Sequence, residues 1–142
     1  MDRLKNRLVK AQEKAEALIN EFSNNEFHID DISVVKFSDL LGVSDNNIMS
    51  FHTGIVGWKT PTTDPNIINF ITILYPHTKF GKHVHPDCDE KITIIQGELY
   101  DDINNVIYTI GESVVYPVDI PHLVSNASNQ MTIINVTFTK TN

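Results

Sequence analysis

The chain has 142 residues, 41% of them apolar and 20% charged, with a formal net charge of −7 and a single cysteine. This balance predicts one globular domain able to bury a core without covalent staples. The acidic surplus argues against nucleic-acid backbones as partners, one cysteine excludes an internal disulfide, and no run reaches the ~20 apolar residues of a membrane-spanning helix.

Residues 3–22 read as a helix. Leu4, Leu8, Ala11, Ala15, Leu18 and Phe22 recur at intervals of four and three and form one apolar stripe, with Lys5, Arg7, Lys10, Glu13, Lys14 and Glu16 on the other faces. The stripe can dock on its own domain or, being heptad-like, on a second subunit. Charges throughout this segment leave no apolar stretch of a secretory signal, and a lone cysteine suits a reducing compartment, so a cytoplasmic location is expected. Asn24 and Asn25 end the helix. The chain thus divides into an N-terminal helix and linker, residues 1–30, and a β domain, residues 31–142. Within the latter, 32–37 is a predicted strand and 38–48 a loop containing Gly42, Ser44, Asp45, Asn46 and Asn47. A strand over 48–58 is interrupted by Gly54 and Gly57, and Pro61 and Pro65 mark the turn that follows. Residues 67–75, rich in β-branched and aromatic side chains, form a strand, and 91–101 form another, broken at Gly97. A polar turn at 101–105 leads into short strands at 106–110, 113–116, 122–125 and 131–139. Many short strands with regular turns indicate a sandwich or barrel.

Two stretches carry candidate chemistry. His83-Val84-His85 on an extended chain puts both imidazoles on one face; Glu90 follows after four residues and Gly97 after six more. Downstream stand Gly111, Pro117, His122 and Asn126. These frames resemble the two motifs of the cupins. The first, G-x5-H-x-H-x3or4-E-x6-G, is matched at His83, His85, Glu90 and Gly97, although Gly81 stands too close to His83 to be its leading glycine. The second, G-x5-P-x-G-x2-H-x3-N, is matched at Gly111, Pro117, His122 and Asn126, with Asp119 in place of the middle glycine. The resemblance spans residues 68–139. It implies an all-β, single-domain jelly-roll barrel behind the N-terminal helix, a homodimer, and one divalent transition metal (iron, manganese, nickel, copper or zinc) held by His83, His85, Glu90 and His122.

The residue types suit that role. Neutral imidazoles bind borderline metals, and a carboxylate adds a hard ligand and cancels one charge. Such a set leaves positions open at five- or six-coordination, and few or none on a tetrahedral zinc. Asp89 is a rival ligand, but Glu90 alone keeps six residues before Gly97. Cys88 is either a redox or metal-linked thiol or an incidental loop residue. His52 lies on a strand that can line the pocket, and His77 lies outside both motifs. Tyr75, Tyr100, Tyr116, Trp58, Phe70 and Phe80 are expected mostly as core or barrel-mouth packing, with one of them, Tyr116 first among the candidates, walling the pocket. Gly97 and Gly111 are expected where a side chain would obstruct a turn or close approach; Pro117 and Pro121 position His122, and Asn126 ties a turn.

Residues 58–125 also resemble the cupins of ChrR-like anti-sigma factors and of small acetophenone-type dioxygenases. His83-Val84-His85-Pro86, Gly97-Glu98-Leu99-Tyr100-Asp101 and His122-Leu123-Val124-Ser125 follow their order, with one extra residue between His85 and Glu90. The resemblance implies a dioxygenase-like enzyme acting on a small oxygen-rich substrate such as an enediol or hydroxy-ketone. It equally admits a non-catalytic metal- or ligand-sensing cupin, or a sugar isomerase or lyase. The anti-sigma regulators carry a zinc-binding N-terminal domain, whereas no histidine or cysteine here precedes His28, which weakens the regulatory reading.

Overall fold

A computed structural model describes residues 34–141. The helix expected over 3–22 and most of the linker lie outside the described residues. The strand expected at 32–37 does not continue into them. Val34 makes one parallel bridge to Val84, and the chain then turns into a short helix, α1 (Phe37–Leu41), where a loop was expected. Two carboxylates explain the difference. Asp39 accepts the Lys36 N–H at 2.9 Å, and Asp87, fifty residues away, accepts the Phe37 N–H at 2.9 Å. Free N–H groups at the start of a helix are thereby satisfied, while Phe37 and Leu40, three apart, are buried together.

Ten strands follow among the described residues: β1 (Ile48–His52), β2 (Ile55–Thr60), β3 (Ile67–Leu74), β4 (Thr78–Lys79), β5 (Cys88–Gln96), β6 (Glu98–Asp101), β7 (Val106–Thr109), β8 (Ser113–Tyr116), β9 (Val124–Asn126) and β10 (Thr132–Lys140). The interrupted strand expected at 48–58 is a hairpin, with β1 and β2 paired antiparallel around Gly54. The break at Gly97 falls as expected, between β5 and β6.

The strands form two antiparallel sheets. One has six strands in the order β1-β2-β3-β10-β5-β8, the other four in the order β4-β9-β6-β7. The expected jelly-roll barrel takes the form, among the described residues, of two sheets that do not close on each other: β1 and β8 end one ladder, β4 and β7 the other. Side chains from both meet in one core. Alternation along β3, β5 and β10 sends Ile68, Phe70, Leu74, Ile92, Ile94, Ile134, Val136 and Phe138 to it, where they join Leu99 of β6 and Val124 of β9. The opposite face of the larger sheet buries Val56, Ile73 and Ile133 beneath Trp58, Tyr75 and Met131. Burial on both faces is why β3 reads as a nearly continuous apolar run. No helix among the described residues is long and apolar enough to cross a membrane.

Candidate metal centre

His83, His85, Glu90 and His122 meet in one cluster whose candidate ligand atoms all lie within 4.8 Å of one another. Three pieces of chain bring them together. Glu90 projects from β5 on the inward face it shares with Ile92. His83 and His122 form an isolated antiparallel pair, exchanging backbone hydrogen bonds at 3.1 and 3.0 Å, which sets their rings 4.2 Å apart. His85 follows His83 on extended chain, with its ring 5.1 Å from that of His83. The segment carrying His83 and His85 makes bridges rather than the full strand expected there.

The loop before His122 is fastened to the same region. The Asp119 N–H donates to the His85 carbonyl at 2.9 Å, and the Val118 N–H donates to Asp89 Oδ1 at 2.9 Å. Asp89, the rival ligand, is thus engaged with a backbone amide and stands outside the cluster. Asp119 has φ 64, so the left-handed backbone that a glycine would supply in the motif is kept by an aspartate, a residue that tolerates it.

Each histidine is oriented through its second nitrogen. His83 Nδ1 lies 2.8 Å from the Gly81 carbonyl, His85 Nδ1 2.9 Å from the Val35 carbonyl, and His122 Nδ1 3.2 Å from the Ile120 carbonyl. A carbonyl only accepts, so each Nδ1 carries the proton and each Nε2 presents a lone pair to the centre. There, Glu90 Oε1 lies 2.7 Å from His85 Nε2, 2.8 Å from His122 Nε2 and 3.9 Å from His83 Nε2. Four electron-pair donors converging on one buried point need a cation between them, either protons or a metal. Three imidazoles and one carboxylate fit a divalent transition ion.

With protons on Nε2 in place of a metal, the same contacts are charge-assisted hydrogen bonds. Burial opposes the charge on Glu90, but hydrogen bonds from His122, His83 and His85 outweigh it and hold the carboxyl well below its ordinary range. Burial likewise opposes charge on His83; its hydrogen bond to Glu90, the Glu90 charge and the Gly81 carbonyl together raise its pKa.

A cavity of about 90 Å³ opens beside the cluster and is bounded in part by His83, His85 and Glu90. His122 lies behind these three, 1% exposed and stacked on Tyr116 with the rings 4.4 Å apart and 14° from parallel. Tyr116 therefore backs a histidine instead of walling the pocket, correcting the expectation. Its hydroxyl donates to Asp101 at 2.7 Å. The aromatic walls are Phe51, Phe70, Phe80 and Phe138. Gly57 makes room for the first: a Cβ there would lie 2.6 Å from the Phe51 ring. Val35 and Leu40 close another side. Phe70 and Phe80 stood among the aromatic candidates, but Phe51 and Phe138 carried no signal, because inward phenylalanines look like any core residue until a cavity is left between them.

The remaining candidates fall elsewhere. Cys88 is fully buried in the core and stands outside the ligand cluster, and burial, with the nearby charges of Asp87, Glu90 and Asp89, pushes its thiol up to about 12, which disfavours the reactive thiolate. His52 is not among the cavity walls, and His77 pairs with Asn129. Asn126 donates to the carbonyls of Leu74, Tyr75 and Gln130 and accepts from Ser128, tying turns as expected.

Solved structures share this arrangement of strands. KdgF from Halomonas sp. superposes with a TM-score of 0.60 at 14% identity, over 68% of this chain and 90% of that one. A predicted oxalate decarboxylase from Thermotoga maritima gives 0.59 at 15% identity, over 72% and 96%. A sugar phosphate isomerase of the cupin superfamily from Silicibacter pomeroyi gives 0.56 at 18% identity, over 72% and 74%. The fold is that of the cupins. No protein-family model and no curated protein matches the sequence. At these identities the likeness concerns the cupin fold, and the chemistry must be argued from the centre itself.

Proposed function

We propose that this cupin is a metal-dependent enzyme that binds a small oxygen-bearing substrate at a centre formed by His83, His85, Glu90 and His122 and transforms it in a dioxygenase-like reaction. The observation that carries the reading is the convergence of three Nε2 atoms and one carboxylate beside an accessible cavity. A divalent transition metal bound there supplies Lewis acidity and, if redox-active, a route for electrons to dioxygen. The chain's own residues do the rest. The carbonyls of Gly81, Val35 and Ile120 fix the tautomer and direction of each imidazole. Glu90 contributes the negative charge, and the phenylalanine walls give the cavity an apolar lining. His83 is the most accessible of the three histidines, with 15% of its side chain exposed, so substrate is expected to approach on its side. We also propose that the protein is a homodimer.

The test is elemental analysis of protein purified without chelator, alongside His122→Ala. One iron, manganese, nickel or copper per chain, lost in the variant, is the expected result, followed by oxygen uptake on enediol or hydroxy-ketone substrates. Zinc with no oxygen uptake would shift the reading to an isomerase, a lyase or a ligand sensor. The sugar phosphate isomerase among the similar structures gives that reading its support. Absence of metal from both proteins would overturn the centre.

A further inference from the structure

The four phenylalanines and two of the histidines form a closed circuit of ring contacts. Phe138 stands edge-on to His85 with centroids 5.0 Å apart, and Phe70 edge-on to Phe138 at 6.1 Å. Phe51 is edge-on to Phe70 at 5.6 Å; Phe80 lies 6.4 Å from Phe51 and 6.2 Å from His83. The His83–His85 contact completes it. The rings come from β10, β3, β1 and the segment after β4, parts of the chain that only tertiary folding unites. Cross-strand register places Phe138 directly opposite Glu90. Among the described walls, and apart from the candidate ligands, Thr72 is the one residue with a polar side chain, and there is no lysine or arginine.

Such a cavity sorts molecules by what lies beyond the atoms that reach the metal. Among the described walls a phosphate or second carboxylate would meet no cation, and the hydroxyls of a sugar would find one threonine. Leaving such groups unpaired in an apolar site is unfavourable. A ring, by contrast, can meet the phenylalanines edge to face. We propose that the site takes a chelating molecule with one oxygen-bearing head and a neutral, ring-sized apolar tail, and discriminates against phosphorylated, polyhydroxylated or dicarboxylic ligands. This rests on the metal-centre reading above; it sets the cupin apart from the sugar phosphate isomerase and the predicted oxalate decarboxylase that share its fold.

Hydroxamates test it, because one chelating head can carry different tails. The protein loaded with one equivalent of cobalt(II) is titrated with acetohydroxamate, benzohydroxamate and the monohydroxamate of succinic acid. The visible cobalt bands report chelation, and calorimetry gives the affinity. Benzohydroxamate should bind about tenfold or more tighter than acetohydroxamate, from burial of the ring, and the acid-tailed compound no tighter than acetohydroxamate. Phe70→Leu should cut the phenyl preference to about threefold or less; Phe51→Leu serves the same purpose if the first variant does not fold. Equal affinities, or tightest binding of the acid tail, would overturn the proposal while leaving the metal centre standing. Failure to retain cobalt, or cobalt bands that respond to none of the three, would bring down the centre and this inference with it.

Discussion

The environment of His122 illustrates how single residues support the centre. Its ring lies flat on Tyr116, whose hydroxyl is anchored by Asp101. Asp101 is itself enclosed and accepts hydrogen bonds from the Ile103 and Asn104 amides and the Asn104 side chain. Burial opposes its charge, but the Asn104 amide and side chain, the Tyr116 hydroxyl and the Ile103 amide outweigh it and lower its pKa. Because the folded-state value lies below the unfolded value of about 3.9, the stability from this carboxylate is complete above about pH 4. It is lost as pH falls through the folded value. In Asp101→Asn, the fall in stability below pH 4 should be shallower than in the parent, measured by urea unfolding at stepped pH. Tyr116→Phe keeps the ring on His122 but removes a donor to a buried carboxylate. It should cost about 2 kcal/mol in the same assay. A loss of metal affinity in Tyr116→Leu, absent in Tyr116→Phe, would show that the stacked ring positions His122.

At the scale of elements, the turns decide where the ligands arrive. Gly97, between β5 and β6, combines φ 79 with a close approach: a Cβ there would lie 2.5 Å from the Met131 carbonyl oxygen and 2.8 Å from Thr132 Oγ1. Gly111, in the turn between β7 and β8, has φ 86 but open space around it. Gly97→Ala should therefore cost about 3 kcal/mol, from backbone strain and overpacking together, and Gly111→Ala about 1 kcal/mol from strain alone. Thermal unfolding of the two variants checks the order; equal losses would mean that the contact at Gly97 relaxes freely. The same logic makes Asp119→Gly nearly neutral, since glycine adopts the left-handed backbone that Asp119 already holds. Helix α1 and its lead-in matter out of proportion to their length. They deliver the Val35 carbonyl to His85 and Leu40 to the cavity wall, and Asp87 secures the helix to the chain just beyond His85.

At the scale of the whole molecule, the two sheets leave four edge strands among the described residues. Edges β7 and β8 carry exposed apolar side chains: Ile107 is 54% and Val115 54% exposed, and Ile110 in the adjoining turn is 67% exposed. Unprotected apolar edges favour association, and these are the surfaces on which the proposed homodimer is expected to form. Ile107→Lys and Val115→Lys, each at an exposed position, should leave the monomer folded and halve the mass seen by light scattering. A dimer untouched by either change would place the interface elsewhere. His83→Ala combined with His122→Ala belongs at this scale too. Bound metal should fall from one per chain to nearly none, while far-ultraviolet circular dichroism stays that of a β protein, because the apolar core of both sheets does not depend on the centre.

The sequence by itself determined the cupin likeness, the four converging residues and most strands. Each is a matter of local spacing: alternation puts His83 and His85 on one side, and β-branched runs form strands wherever they pack. Glu90 could be separated from Asp89 by its distance to Gly97; in the structure Glu90 turns inward to the cluster and Asp89 turns to the Val118 amide. What only the tertiary structure decided depends on partners distant in the chain. Helix α1 is capped by Asp87, fifty residues away, so its own residues read as loop. Tyr116 reaches Asp101 and His122 through strand pairing, and burial disfavours the Cys88 thiolate. The circuit of phenylalanines is drawn from four separate segments. Sequence patterns report the face on which a side chain lies, whereas a cavity is the space that opposing faces leave unfilled, and that is set only when the sheets pack.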